Sequence, residues 1–283
     1  MTSRHPYLAS PVPRAFAHRG WHIDDLHGME NSLPAFRRAA DEGYRHIETD
    51  VHATSDGVLV VHHDPTLDRT TDRGGSISEL TWSEARRAKI GGAEPVSRLE
   101  DVLEELPNAH FNVDVKTDAA VEPFLRTIRR CKAVDRVAAA SFSARRLARI
   151  RRFGGPQLVQ AMDPVSAGVV WATSKVPLVP LGFLARGTMA QVPLRQGRLT
   201  VVSPAFVRRA HRMGAEVHVW TVDDAPTMRK LLDIGVDGII TDRPDILRTV
   251  LRERGAWPHD ATDEAASPPT PRATSSDQAD PSP

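Results

Sequence analysis

The sequence predicts an α/β protein closed into a parallel (β/α)8 barrel. Two observations carry this. Strand-like and helix-like segments alternate close to eight times in about 240 residues. The chain has 283 residues, 40% of them hydrophobic, which is ample for one large core. Length alone also admits two small domains. The regular alternation favours the barrel, because closure leaves no strand as an exposed edge.

In chain order, Ala15–Ala17 is a short apolar strand that delivers His18, Arg19 and Gly20 to its end. After a loop at 21–29, Asn31 or Ser32 caps a helix with Leu33, Phe36 and Ala40 at helical spacing, stopped by Gly43. His46–His52 is the second strand, in which Ile47, Thr49 and Val51 alternate with Glu48, Asp50 and His52. A Ser55-Asp56-Gly57 turn leads into the apolar run Val58–Val61, which ends in His62, His63 and Asp64 before Pro65. The following text, Thr66–Val96, is turn-rich with one short helical patch at Ser83–Lys89. It is far longer than the usual ~4–6 residues of a connection, so it reads as an insertion covering the mouth of the barrel.

Regular alternation then resumes. Helices are expected at Leu99–Leu106, Ala120–Cys131, Ala144–Phe153, Ser166–Thr173, Pro204–Met213, Ala225–Ile234 and Asp245–Arg254. Strands are expected at Phe111–Val115, Val137–Phe142, Gln157–Met162, Glu216–Val222 and Gly238–Thr241. The sixth repeat has to fit within 176–202, where Val176–Leu184 is an apolar run interrupted by proline. This divides the chain into an N-terminal extension (1–14), a barrel (15–255, with the insertion at about 66–96) and a tail (256–283). The tail has six prolines, five acids and a single aromatic residue, Trp257, too little apolar surface to offset its ordering entropy, and is expected to be disordered.

Composition narrows the function. A net charge of +1 provides no global field for nucleic acid or an anionic membrane, so an anion has to be held locally. The single cysteine, Cys131, rules out an internal disulfide and a thiolate metal cluster, and reads as a small core residue. No apolar run approaches the ~18–20 residues of a bilayer span and the first residues lack a continuous apolar segment, so a cytoplasmic protein without stable membrane insertion is expected.

The polar residues converge on the C-terminal strand ends, where barrels of this class do their chemistry. Glu48 and Asp50 share one strand face and Asp114 lies late in the next strand. Three inward carboxylates form a hard oxygen site suited to Mg²⁺ or Ca²⁺ rather than to zinc or copper. Arg19 and Lys116 add positive charge beside it, which suits a phosphate. His18 and His63, with ordinary pKa values near ~6.5, suit proton transfer at neutral pH. Metal, cationic clamp and two histidines together describe phosphoester cleavage.

Six phrases now carry a resemblance: AHRG (Ala17–Gly20), MENSLPAF (Met29–Phe36), IETDVHATSDGVLVVHHDPTLDRTT (Ile47–Thr71), NVDVK (Asn112–Lys116), VHVWTVDD (Val217–Asp224) and DGIITDRPD (Asp237–Asp245). In this order over residues 15–250 they resemble the glycerophosphodiester phosphodiesterase family. The resemblance implies a TIM barrel with a small subdomain inserted after the second strand. It further implies divalent-metal-dependent hydrolysis of small glycerophosphodiesters to an alcohol and glycerol 3-phosphate. By the same resemblance Glu48, Asp50 and Asp114 are metal ligands, and His18 and His63 are the catalytic pair. Arg19 contacts the phosphate, Lys116 follows the third acid, Glu30 is the acid of the family's Glu-Asn-Thr-like element, either binding substrate or only orienting Arg19, and Trp220 borders the pocket. Two positions depart from the family pattern: Asp114 stands where glutamate is usual, and Met29 where proline is frequent. The attacker is water or the neighbouring glycerol hydroxyl. A lysophospholipase D acting on lipid-derived diesters and a barrel that binds a phosphorylated ligand without cleaving it are the competing readings.

Overall fold

The structure is a computed structural model that describes residues 5–176 and 185–257. Most of the apolar run at 176–184 and the tail from 258 onward lie outside the described residues. Eight parallel strands form the barrel: β1 (Arg14–His18), β2 (His46–Ala53), β3 (His110–Val115), β4 (Val137–Ala140), β5 (Val159–Gln160), β6 (Met189–Pro193), β7 (Glu216–Trp220) and β8 (Gly238–Thr241). They pair in the order β5-β4-β3-β2-β1-β8-β7-β6. A single parallel bridge, Ala161 to Met189, joins the two end strands. Gly187 permits that approach, since a Cβ there would lie 2.8 Å from the Ala161 carbonyl oxygen. The short strand Leu59–Val61 runs antiparallel to the second half of β2, with Val61 opposite Val51.

Among the described residues eight helices surround the strands: α1 (Leu33–Asp41), α2 (Leu99–Glu105), α3 (Val121–Arg130), α4 (Ala144–Gly154), α5 (Pro164–Lys175), α6 (Pro204–Arg212), α7 (Ala225–Asp233) and α8 (Pro244–Glu253). Their starts are written in the sequence. Ser32, Ser143, Asp163, Ser203 and Asp224 each accept a backbone N–H in the first turn of the helix they precede. The outward strand residues, such as Ile47, Val51, Phe111, Val113, Val217 and Val219, pack against Phe36, Val102, Phe124, Leu147, Phe206 and Leu247 of the helices. This ring between strands and helices is the main core. No described helix is long and apolar enough to cross a membrane.

The inside of the barrel is less apolar. At its N-terminal end Arg14 donates two hydrogen bonds, both 2.8 Å, to the Glu216 carboxylate. Above them Phe16 packs against His46 (ring centroids 5.0 Å apart) and His218 (4.9 Å). Tyr7 closes this end, edge-on to His46 at 5.6 Å and His110 at 5.7 Å. Part of the stretch expected as an extension is therefore the floor of the barrel. At the other terminus, Trp257 is buried against Tyr44, with ring centroids 5.1 Å apart, so the packed body runs past residue 255.

The insertion has its own small core of Leu67, Ile77, Ala88, Ile90 and Val96, which packs on Met29 and Val60. Its helix is Trp82–Ala85, shorter than the expected Ser83–Lys89. Lys89 instead starts a two-residue strand paired with Glu94–Pro95. Its N–H donates to Asp72 (2.7 Å), which holds the backbone extended where a helix would have continued.

Candidate active site

The C-terminal ends of the strands surround a cavity of about 540 Å³. His18, Arg19, Glu48, Asp50, His63, Asp114, Lys116 and Trp220 all line it. Of the nine residues singled out from the sequence, only Glu30 does not. Both Glu30 oxygens are engaged by guanidinium groups: Arg19 at 2.7 Å, and Arg69 at 2.8 and 2.9 Å. Glu30 therefore lies behind Arg19, in the orienting position that the sequence also allowed. His52 and His62 do not line the cavity either. His52 Nε2 donates to the His63 carbonyl (3.0 Å), and His62 is buried against Thr70.

The His-Arg-Gly phrase is a sharp exit from β1. Arg19 takes φ +57° and Gly20 φ +90°. A Cβ on Gly20 would sit 2.8 Å from the Ala35 carbonyl carbon, so only glycine fits between β1 and α1. The turn is held by backbone bonds from Arg19 N–H to the Glu48 carbonyl and from Asn31 N–H to the Arg19 carbonyl, both 2.9 Å. Asn31, itself at φ +58°, donates to Asp50 Oδ2 (3.0 Å) and accepts from the Thr49 hydroxyl (2.7 Å).

Strand register brings the acids together. Asp50 on β2 stands opposite Asp114 on β3, and Glu48 opposite His18 on β1. Lys116 Nζ bridges Asp50 and Asp114 at 2.7 Å from each. Arg19 Nε is 3.3 Å from Asp50 and His18 Nε2 is 3.6 Å from Glu48. Burial, together with the neighbouring Asp50 charge, pushes the Glu48 carboxyl up to about 8. Burial also raises Asp114, against the pull of Lys116. Asp50 goes the other way: burial would raise it, but Lys116 and Arg19 outweigh burial and hold it below the usual range. The three acids thus outnumber the two cations that contact them, Arg19 and Lys116.

Each histidine is tied by Nδ1 to an aspartate. His18 Nδ1 is 2.6 Å from Asp242, and His63 Nδ1 is 2.6 Å from Asp64. Asp242 also receives His22 Nε2 (3.1 Å), and its own N–H donates to Asp223 (2.8 Å). Burial disfavours the His18 cation, but Glu48 and Asp242 more than compensate and lift its pKa above the ordinary 6.5. Asp64 is held in turn by Arg69 of the insertion (2.5 Å). Asp242, Asp64, Arg69 and Asn31 were not among the residues singled out. Asp64 and Asn31 adjoin residues that were, while Asp242 lies 224 positions from His18 and is found only through the fold.

The rest of the cavity is different in kind. From β4 to β8 its lining is uncharged, and includes Phe142, Met162, Trp171, Leu199 and Val201. Trp220 meets Phe142 edge-on, with ring centroids 5.7 Å apart.

Solved structures share this fold. The glycerophosphodiester phosphodiesterase of Agrobacterium tumefaciens str. C58 overlays with TM-score 0.68 at 26% identity, over 83% of this chain and 98% of that one. An Oleispira antarctica phosphodiesterase, solved in complex with the product sn-glycerol-3-phosphate, overlays with TM-score 0.70 at 18% identity, covering 85% of this chain and 97% of that one. A Mycobacterium tuberculosis (strain ATCC 25618 / H37Rv) protein named "Probable glycerophosphodiester phosphodiesterase 2" is 41% identical over 250 residues, which span 86% of this chain and 92% of that protein. The model of the Glycerophosphoryl diester phosphodiesterase family matches residues 18–246, and the chain belongs to that family. It is a phosphoric diester hydrolase.

Proposed function

We propose that the protein hydrolyses glycerophosphodiesters to an alcohol and glycerol 3-phosphate by two-histidine acid–base catalysis. A divalent cation, Mg²⁺ or Ca²⁺, is the proposed cofactor. The observation that carries this reading is that His18 and His63, each tied by Nδ1 to an aspartate, open onto one cavity with Glu48, Asp50 and Asp114.

The residues fit a cation. Glu48 Oε2 and Asp114 Oδ1 are buried and accept no hydrogen bond. A buried carboxylate oxygen without a hydrogen bond is costly, and two of them, one belonging to the Glu48 carboxyl that is raised to about 8, describe a site short of positive charge. Glu48, Asp50 and Asp114 would hold the ion through oxygen, the ligand set that Mg²⁺ and Ca²⁺ prefer. Bound there, it would polarise a phosphoryl oxygen and stabilise charge that builds up in the transition state.

The protein's own groups supply the remaining steps. Arg19, anchored by Glu30, and Lys116 attract the diester phosphate and fix its orientation. One histidine accepts the proton of the attacking oxygen, from water or the adjacent glycerol hydroxyl, as the new P–O bond forms. The other donates a proton to the departing alkoxide as the old P–O bond breaks. Attack by the glycerol hydroxyl gives a cyclic phosphate, which water then opens. Asp242 and Asp64 keep each imidazole in the tautomer and orientation that presents Nε2 to the substrate.

The test is turnover of a glycerophosphodiester panel after chelation and on return of each metal. Activity restored by Mg²⁺ or Ca²⁺ and lost in His18→Ala supports the reading. A chelated enzyme that retains full rate would refute the metal role.

The uncharged half of the cavity favours a second substrate class. Phe142, Met162, Trp171 and Leu199 are suited to the apolar alcohol portion of a lipid-derived diester. Rates on lysophosphatidylcholine and glycerophosphocholine, compared directly, decide between the classes.

A further inference from the structure

The loops that follow β4, β5 and β6 make one arc of the cavity rim, and this arc is unusually apolar for an exposed surface. Phe142, Val165 and Leu199 are 64%, 69% and 55% exposed. Phe142 and Leu199 also line the cavity, as does Pro164 beside Val165. Leu199 belongs to a small hairpin, Arg195–Gln196 paired with Leu199–Thr200, in which residues 195–200 are all exposed. The hairpin is fixed at its base, where Trp171 Nε1 donates to the Thr200 carbonyl (3.1 Å). Single exposed apolar residues are ordinary; three of large size around one opening, continuous with an uncharged wall inside it, are not.

The exposed charges of the arc have one sign. In segments 141–146, 161–165 and 194–201 the charged residues are Arg145, Arg146, Asp163, Arg195 and Arg198. Asp163 is buried and caps α5, and Arg146 is paired with Asp118. The exposed charges are Arg145, Arg195 and Arg198.

We propose that this arc docks on an anionic phospholipid surface, with Phe142, Val165 and Leu199 entering the interface and Arg145, Arg195 and Arg198 facing the head groups. The inference rests on the reading that the cavity accepts lipid-derived diesters. Apolar side chains ringed by arginine are the composition that holds a protein at a lipid interface. Docked in this way, the rim gives an apolar substrate group a path from the bilayer to the wall at Met162 and Trp171 without crossing a charged residue.

The test is co-sedimentation with large unilamellar vesicles of phosphatidylcholine, with and without phosphatidylglycerol. The protein is expected to sediment with the anionic vesicles at low ionic strength and to be released by salt. The triple variant Val165→Ser, Arg195→Glu, Arg198→Glu is expected to partition at least about tenfold less, since each basic group near an anionic surface contributes substantially to binding. Its turnover of glycerophosphocholine in free solution should equal that of the parent, which shows that the barrel is intact. A parent protein that stays in the supernatant, or a triple variant that partitions equally well, would overturn the proposal. So would concentration-dependent self-association abolished by the triple variant, which would make the arc a contact between two copies. If vesicle binding holds but no lipid-derived diester is cleaved, docking stands and the substrate reading falls.

Discussion

His18 Nδ1 lies 2.6 Å from Asp242 Oδ1, a contact between the end of β1 and the residue that follows β8, made possible because these two strands, far apart in sequence, pair side by side. It fixes which ring nitrogen carries the proton and aims Nε2 toward Glu48. Asp242→Asn is expected to leave the fold intact, because the Asp242 side chain is 39% exposed, and to lower kcat by on the order of a hundredfold or more with little change in KM. Steady-state kinetics together with a thermal melt check this. An equal loss in KM would show that Asp242 binds substrate instead.

Glu48 is predicted to cost stability when no cation is present. Replacing it with Gln removes a buried carboxyl pushed up to about 8 while keeping its shape. In chelator, Glu48→Gln should melt no lower than the parent. Added Mg²⁺ or Ca²⁺ should raise the melting temperature of the parent through linked binding, but not that of the variant. Activity of the variant should fall by about two orders of magnitude or more. A variant stabilised by the metal as much as the parent would remove Glu48 from the ligand set.

The floor of the barrel makes the fold acid-sensitive. Burial and the nearby Arg14 charge depress His110 to about 4, and burial also depresses His46. A histidine whose folded pKa lies below its unfolded value binds more protons when unfolded, so its contribution is complete above pH ~6.5 and is lost as pH falls toward the folded value. Urea unfolding at pH 7.5 and pH 5 should show a loss of roughly 1–2 kcal/mol attributable to His110, after allowance for its partial exposure. His110→Gln should flatten that part of the profile. An unchanged slope would mean that His110 is solvated in the folded state.

The insertion reaches the site through Arg69, which contacts both Glu30 and Asp64. Arg69→Ala should cost little stability, on the order of 0.5–1 kcal/mol, because its side chain is 48% exposed. It should raise KM severalfold, because Glu30 would hold Arg19 less firmly, and lower kcat through a less constrained His63. Kinetics that match the parent in both terms would show that the insertion only covers the mouth.

The parts of the fold set by short-range patterning were legible in the sequence. Alternation in β2 placed Glu48 and Asp50 on one face, and the caps Ser143, Ser203 and Asp224 began helices close to where their spacing implied. What escaped was set by tertiary contact. β5 is only Val159–Gln160, not the expected six residues, because it pairs with β4 over two residues and meets β6 at one point. β6 was hidden in a stretch containing Pro193, Arg195 and Arg198, whose alternation is weak. Among the site residues, Asp242 had no local signal because its partner is 224 residues away. Glu30 could be read either as a substrate contact or as the group that orients Arg19, and sequence order could not show that Arg19 and Arg69 both claim it.

The joint between β5 and β6 is the thinnest seam of the barrel, one bridge where β2 and β3 share six registered pairs. Opposite parts of the mouth therefore differ in how many strand pairs tie them together. The arc that holds the acids is braced by that ladder, while the arc that carries the apolar wall flanks the seam. A chain built this way can change its clientele by altering residues near the seam, with the atoms around phosphorus left undisturbed.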